Sequence, residues 1–360
     1  MIPRIYEKDA TSFTSFGICP LTDCLSCMVT EERNGEFVLD MEYPKEGRWA
    51  NEIQPDRIVF AVPYEGAKTG EPFRIKEVAF DLNGNITVSA EHISYALNHI
   101  IIGKTTNQTR YPKKMYDTIV QNALLSASCP FSFETDMTSE SQTVKTYNIE
   151  QPTPLRNILG GMEGSMLDLY GGEFKWTQYT VNLLSARGAD NGVRIAYTKN
   201  LSGLNYSVDI SNVYTGAVAF YKSNTTYVQG TRQSISHSYG FDRDIVLDAS
   251  GEFNNTTPTV EQLNSYAATY LANNAPSPVV SVDVHFIPLW QTDEYKAYTD
   301  LEHVNLCDTV EVVYPPLNLD LKAKVVKTIY DVLANRYAEV TIDSAKATLA
   351  DTIYSLIERS

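Results

Sequence analysis

Asp56-Arg57-Ile58-Val59-Phe60-Ala61-Val62-Pro63 and Asp308-Thr309-Val310-Glu311-Val312-Val313-Tyr314-Pro315 share one grammar: an Asp, an apolar run rich in β-branched residues, and a closing Pro. β-branched side chains suit the pleated, half-buried surface of a strand, and Pro stops the ladder because it has no N–H to donate. The likeness continues downstream in order. Phe73-Arg74-Ile75-Lys76-Glu77-Val78-Ala79-Phe80-Asp81 aligns with Ala323-Lys324-Val325-Val326-Lys327-Thr328-Ile329-Tyr330-Asp331, and Ile86-Thr87-Val88-Ser89 with Val340-Thr341-Ile342-Asp343. The offsets are 252, 250 and 254 residues, so the copies differ only in turn length. An earlier pair, Glu36 to Tyr43 against Ala217 to Asn224, has an offset of 181, which implies an insertion in the second copy. The expectation is an internal duplication.

Working outward, Met28-Val29-Thr30 and Glu36 to Tyr43 also read as strands, with turn signals at Asn34-Gly35, Glu65-Gly66, Thr69-Gly70 and Asn83-Gly84. Phe37, Leu39, Met41 and Tyr43 alternate with Val38, Asp40 and Glu42, the period of a strand with one buried face. From Pro112 the period becomes helical, with Met115, Ile119 and Ala123 on one face. A second helix is expected after Pro154 through Leu155, Ile158 and Leu159, and Thr135 to Thr146 reads as a loop. Strands resume at Glu173, Thr180, Arg194 and Gly216, a helix spans Thr259 to Ala272, a strand follows from Val279, and a helix from Ser344 closes the chain.

The predicted fold class is therefore β-rich α+β and multidomain: two similar antiparallel β-barrel domains plus smaller α/β domains. Residues 1–104 form the first barrel and 105–172 a helix-containing α+β domain. The second barrel is 173–240 with 301–343, interrupted by an inserted α+β domain at 241–300, and 344–360 is the C-terminal helix.

Composition narrows the function classes. With 360 residues and 43% hydrophobic content the chain can bury several cores without staples. Its formal charge of −15 would repel a phosphate backbone, so no specific nucleic-acid binding is expected. No run reaches the ~18 apolar residues of a membrane span, and Met1 to Asp9 lacks a basic segment followed by an apolar one. The chain is expected to be made in the cytoplasm without membrane insertion. Its five cysteines are an odd number with no secretory signal, which argues against a disulfide framework. Tyr outnumbers Phe and Trp together, 23 against 13 and 3, a usage that suits strands and half-wet subunit contacts.

His92, His99, His237, His285 and His303 show no His-x-His or His-Glu-x-x-His spacing and read as surface or strand residues. Cys24-Leu25-Ser26-Cys27 has the Cys-x-x-Cys pattern, but lacks the second pair of a zinc ribbon and lies in expected strand rather than at a helix start. Gly160-Gly161-Met162-Glu163-Gly164-Ser165 lacks the Lys-Ser/Thr ending of a phosphate loop and reads as a tight connection. Asp56, Asp81, Asp308 and Asp331 recur in both copies at strand ends, where Asp ordinarily bonds turn N–H groups. No catalytic, cofactor-binding or metal residue is nominated.

Four stretches carry a family likeness: Ile86-Thr87-Val88-Ser89-Ala90-Glu91-His92-Ile93-Ser94-Tyr95-Ala96-Leu97; Gly164-Ser165-Met166-Leu167-Asp168-Leu169-Tyr170-Gly171-Gly172-Glu173-Phe174-Lys175-Trp176; Arg187-Gly188-Ala189-Asp190-Asn191-Gly192-Val193 with Tyr197-Thr198-Lys199-Asn200-Leu201; and Leu306-Cys307-Asp308-Thr309-Val310 with Lys324-Val325-Val326. In this series the chain resembles the prophage tail endopeptidase, or tail-associated, hub proteins of long-tailed phages, related in fold to baseplate hubs of contractile tails. Thr198 departs from the glycine expected in that turn. The resemblance implies a homotrimeric ring at the virion tail tip, joined to the distal tail protein, the tape measure and receptor-binding or tail-fibre proteins. It implies a structural, non-enzymatic hub. Family members called endopeptidases carry degrading modules beyond the hub, so a cell-wall hydrolase is the alternative.

Overall fold

The computed structural model describes residues 2–80, 82, 84–125, 128–138, 143–196, 201–211, 213–223, 225–237, 239–253, 256–273, 279–286, 304–317 and 319–344. The expected C-terminal helix beyond Ser344, Asp81 and the turn at Thr198 lie outside these residues. Two compact units divide the chain, Met1–Leu204 with Asp283–Asp343, and Asn205–Val282 with Ser344–Ser360.

The larger unit begins with strands β1 (Arg4–Tyr6), β2 (Cys19–Pro20), β3 (Ser26–Glu32), β4 (Phe37–Pro44), β5 (Ile58–Ala61), β6 (Glu71–Phe80) and β7 (Asn85–His92). They pair in the order β3-β4-β7-β6-β5-β1-β2, every neighbour antiparallel. In β4 the alternation read from the sequence holds, with Phe37, Leu39, Met41 and Tyr43 buried while Asp40 faces solvent. Asn34, at φ +57°, makes the β3–β4 turn, a left-handed conformation that Asn visits more readily than most residues, and its side chain bonds Gly172 O and the Phe174 N–H. Strand β5 is buried along its whole length.

A helix-bearing region follows: β8 (Ile101–Ile102), β9 (Thr105–Thr109), α1 (Pro112–Val120), β10 (Ser132–Thr135), β11 (Lys145–Ile149), β12 (Thr153–Pro154), α2 (Met166–Tyr170), β13 (Glu173–Thr177) and β14 (Thr180–Leu184). Helix α1 starts at the expected Pro and buries Met115 and Ile119. After Pro154 the structure departs from the expected continuous helix. Asn157–Gly161 is a π-helical turn, and α2 is a separate short helix whose first turn is capped by Ser165 Oγ, which accepts from the Asp168 N–H at 3.3 Å. Gly160 and Gly161 break the periodicity, since glycine weakens a helix interior.

Further strands are β15 (Asp190–Ala196), β16 (Leu201–Asp209), β17 (Gly216–Lys222), β18 (Tyr227–Gln229), β19 (Gln233–Ser234) and β20 (Asp244–Asp248), then α3 (Val260–Asn273), β21 (Val279–Phe286), β22 (Thr309–Tyr314), β23 (Leu319–Asp331) and β24 (Arg336–Ser344). The smaller unit is a four-stranded sheet in which β17 pairs with β18, β19 and, in parallel, β20. Leu263, Ala267 and Leu271 of α3 pack on Ala217, Ala219, Tyr221 and Leu247 of that sheet. The helix opens on a reciprocal cap: Thr259 Oγ1 accepts from Gln262 N–H, and Gln262 Oε1 accepts from Thr259 N–H.

The duplication is visible in the backbone, with one adjustment. In the first copy Asp56 has φ +72°, its N–H bonds Ile75 O at 2.9 Å, and Ile75 N–H bonds Arg57 O at 2.8 Å. In the second copy Cys307 has φ +73°, its N–H bonds Val325 O at 2.9 Å, and Val325 N–H bonds Asp308 O at 2.9 Å. Asp56 thus corresponds to Cys307, one residue earlier than the Asp-to-Asp alignment, while Ile75 corresponds to Val325 as read from the sequence. A second correction concerns Ala217 to Asn224: β17 lies in the sheet of the smaller unit and not beside β22 and β23.

No sheet among the described strands closes into a barrel, and β23 pairs antiparallel with β3, from Lys327 opposite Glu32 to Asp331 opposite Met28. Both hairpins of the repeat therefore belong to one continuous sheet. The fold is β-rich with few helices, as expected.

The left-handed backbone at Asp56 gives a direct check. A β-branched Asp56→Val substitution should lower stability by about 1–2 kcal/mol, while Asp56→Gly should stay within about 0.5 kcal/mol, read by urea unfolding.

Candidate functional site

Strand alternation points Glu31 of β3 inward, where a lone carboxylate would be costly. Arg187, in the connection after β14, meets it with both ends of its guanidinium: Nη1 to Oε1 at 2.6 Å and Nη2 to Oε2 at 2.9 Å, with 8% and 3% of the two side chains exposed. Nη1 also donates to Phe174 O at 3.2 Å. Beside this pair, Glu173 at the start of β13 accepts from the Arg187 N–H at 2.8 Å and from Lys324 Nζ of β23 at 2.6 Å, with Arg33 Nε at 3.0 Å. Three cations thus meet two carboxylates, in the fork geometry that makes Arg–carboxylate pairs strong.

Electrostatics follow from this packing. Burial alone would raise the Glu173 pKa, but hydrogen bonds from Lys324 and the Arg187 N–H and the nearby Lys324 and Arg33 charges bring it below the ordinary glutamate value. For Arg187 burial pulls downward, and the Glu31 carboxylate wins, holding the guanidinium more firmly charged than usual.

The surrounding loops are joined at van der Waals limits. A Cβ on Gly188 would fall 2.1 Å from the Cys307 carbonyl carbon and 2.4 Å from Asp308 N, so only glycine lets these segments touch. Asp308 accepts from Ala189 N–H and from Asn305 N–H, both at 2.8 Å, and Tyr337 donates to Asn305 Oδ1 at 3.1 Å. A cavity of about 310 Å³ opens here, lined by Glu31, Tyr64, Lys175, Arg187 and Asp308 among others. The two sequence stretches around Arg187 and Cys307 that carried the family likeness therefore meet at one junction.

Sequence reading gave His92 no partner. The structure buries it completely and stacks its ring on Phe37 at 4.4 Å. Its Nε2 lies 3.4 Å from Glu71 Oε2, and its Nδ1 accepts from the Ser94 N–H at 3.2 Å. An acceptor at Nδ1 requires the lone pair there, so the proton sits on Nε2 toward Glu71. Glu71 Oε2 in turn accepts from Gln178 N–H at 2.6 Å. With both ring nitrogens engaged, no lone pair is offered to a substrate, as general base work would require. The signal that a partner existed was weak, because 21 residues separate Glu71 from His92.

The other candidates resolve similarly. Cys24 Sγ donates to Ser26 O at 3.1 Å, and the buried Cys27 thiol is pushed well up by its hydrogen bond with Cys24 and by burial. Burial also lifts Cys19 to about 11 and Cys307 to about 12, which keeps both as thiols. Asp331 Oδ1 accepts the Leu333 and Ala334 N–H groups at 2.9 Å each, the turn role read from the sequence. Gly164, at φ +74°, turns the chain toward α2. Among the described residues no group of three or more His, Cys, Asp or Glu is placed to hold a metal ion, and no helix is long and apolar enough to cross a membrane.

This architecture recurs in proteins of phage tails. The chain superposes over 98% of its length on the 43 kDa tail protein of prophage MuSo2 from Shewanella oneidensis, covering 99% of that protein at a TM-score of 0.61 and 12% identity. The prophage tail protein gp18 of Listeria monocytogenes EGD-e matches over 99% of both chains at a TM-score of 0.55 and 14% identity, and the tail protein of Neisseria meningitidis MC58 over 98% of both at 0.55 and 9%. The fold is that of a prophage tail protein. Residues 189–353 match the prophage endopeptidase tail family, the family whose resemblance the sequence carries. No curated protein matches the chain by sequence.

Removing one partner of the buried pair leaves the other uncompensated. Arg187→Met should cost about 3–5 kcal/mol in urea unfolding, and the Glu31→Gln, Arg187→Met double variant should recover part of that loss. The Glu173 pKa is lower folded than unfolded, so its contribution is complete above the unfolded value of about 4.3 and disappears as pH falls through the folded one. Glu173→Gln should correspondingly flatten the acid limb of a stability–pH curve.

Proposed function

We propose that this protein is a structural hub of a phage or prophage tail tip, assembling as a homotrimeric ring between the tail tube and the host-adhesion components. The observation that carries the reading is the likeness of fold to three prophage tail proteins along essentially the whole length of both partners. The repeated hairpin supports it, since two related β-modules per subunit give three subunits an approximately sixfold frame suited to meeting a sixfold tube. On this reading the neighbours are the distal tail protein, the tape measure and receptor-binding or fibre proteins, around a channel for genome delivery. The buried charge junction fits a part that carries load without rearranging internally.

Light scattering coupled to size exclusion should give a mass three times the 40.3 kDa of the chain at high protein concentration, with six-lobed rings in negative stain. A monomer at every concentration, alone and with tail tubes added, would refute the ring. Hydrolysis of the cell wall is the second reading, favoured by the word endopeptidase in the family description. Zymography on Gram-positive walls decides it: no clearing supports the hub, and clearing abolished by one acidic substitution supports the hydrolase.

A further inference from the structure

The buried Arg187 and the half-buried Arg156, both in the larger unit, differ in one respect. Arg187 has Glu31 as counter-ion. Arg156 has none: among the described residues no carboxylate lies within 4.0 Å of it, and Glu91, the acid that influences it from further away, is bonded to Lys76 at 2.7 Å. Its guanidinium lies over the rings of Tyr95, 4.1 Å from the centroid, and Trp176, at 4.9 Å. Nη1 donates to Ser94 Oγ at 3.1 Å and Nη2 weakly to Gly35 O at 3.4 Å. A guanidinium carries five N–H groups, so most of this fork has no acceptor from the chain.

Arg156 borders a cavity of about 230 Å³ with Asn34, Gly35, Tyr95, Gly160, Gly161 and Trp176. The π-helical turn contributes Gly160 and Gly161 to this lining. Such turns are frequent at functional sites. The rings of Tyr95 and Trp176 accept no in-plane N–H bond, which leaves the remaining N–H groups of the fork for an acceptor such as a planar carboxylate. Burial moves the Arg156 pKa down, the reverse of Arg187, as expected for a cation whose counter-ion is not supplied internally.

We infer that the Arg156 cavity is a binding site for a carboxylate carried on a short slender stem, an Asp or Glu side chain of a polypeptide partner. The volume is below the range of pockets for drug-sized molecules and fits a single side chain. The inference does not depend on ring formation, and either can fail alone.

The full chain can be titrated with N-acetyl-glutamate α-amide, following the fluorescence of Trp176. A saturable change is expected, absent with the neutral N-acetyl-glutamine α-amide, absent in Trp176→Phe, and weakened at least tenfold in Arg156→Gln. Thermal unfolding checks that each variant is folded. An equal response to the glutamine amide, an equal response to inorganic phosphate, or unchanged binding in folded Arg156→Gln would overturn the assignment.

Discussion

A charge can be taken out of water only where its partner is already in place, and the Glu31–Arg187 pair imposes that condition on the larger unit. Glu31 is delivered by β3, Arg187 by the connection after β14, and their distance of 2.6 Å is set by segments 156 residues apart in sequence. Everything around them serves the approach. Gly188 removes the side chain that would keep the loops apart, Cys307 adopts a left-handed backbone to reach it, and Asp308 ties down the N–H groups on either side. Glu173 then neutralises the remaining cations. A buried pair of this kind adds little net stability against an apolar replacement, but it makes a misplaced segment expensive. Its main effect is to select one arrangement.

Local rules in the sequence account for much of the fold. Alternation in β4, the Pro at the start of α1 and the Thr259–Gln262 cap of α3 depend on residues a few positions apart, and each was readable. The repeat was readable too, because β-branched runs between Asp and Pro are long enough to align. Its register was read one residue out at one end, since a left-handed residue at Cys307 does the work that Asp56 does in the first copy and the two side chains share no chemistry. Which strand faces β3 was not readable, for the answer, β23, comes from the other end of the chain.

Sites were less legible than strands for the same reason. Nothing near Glu31 in sequence announces Arg187, and nothing near His92 announces Glu71, 21 residues earlier, as the partner of its Nε2. Glycines were a partial exception: Gly160-Gly161 read as a tight connection, and the structure places the pair at a π-turn beside Arg156. A break in local pattern records a tertiary demand, though not which one.

The β3–β23 pairing has a consequence for how the protein is made. On the ribosome β3 emerges within the first few dozen residues, with β4 to zip against on one side and an open row of N–H and C=O groups on the other. Its second neighbour, ending at Asp331, is translated some three hundred residues later, a delay of about 15–60 s at typical elongation rates. For that interval the nascent chain carries a naked strand edge. The order of synthesis thus makes the last strands of this protein the ones that close its most exposed template for mispairing.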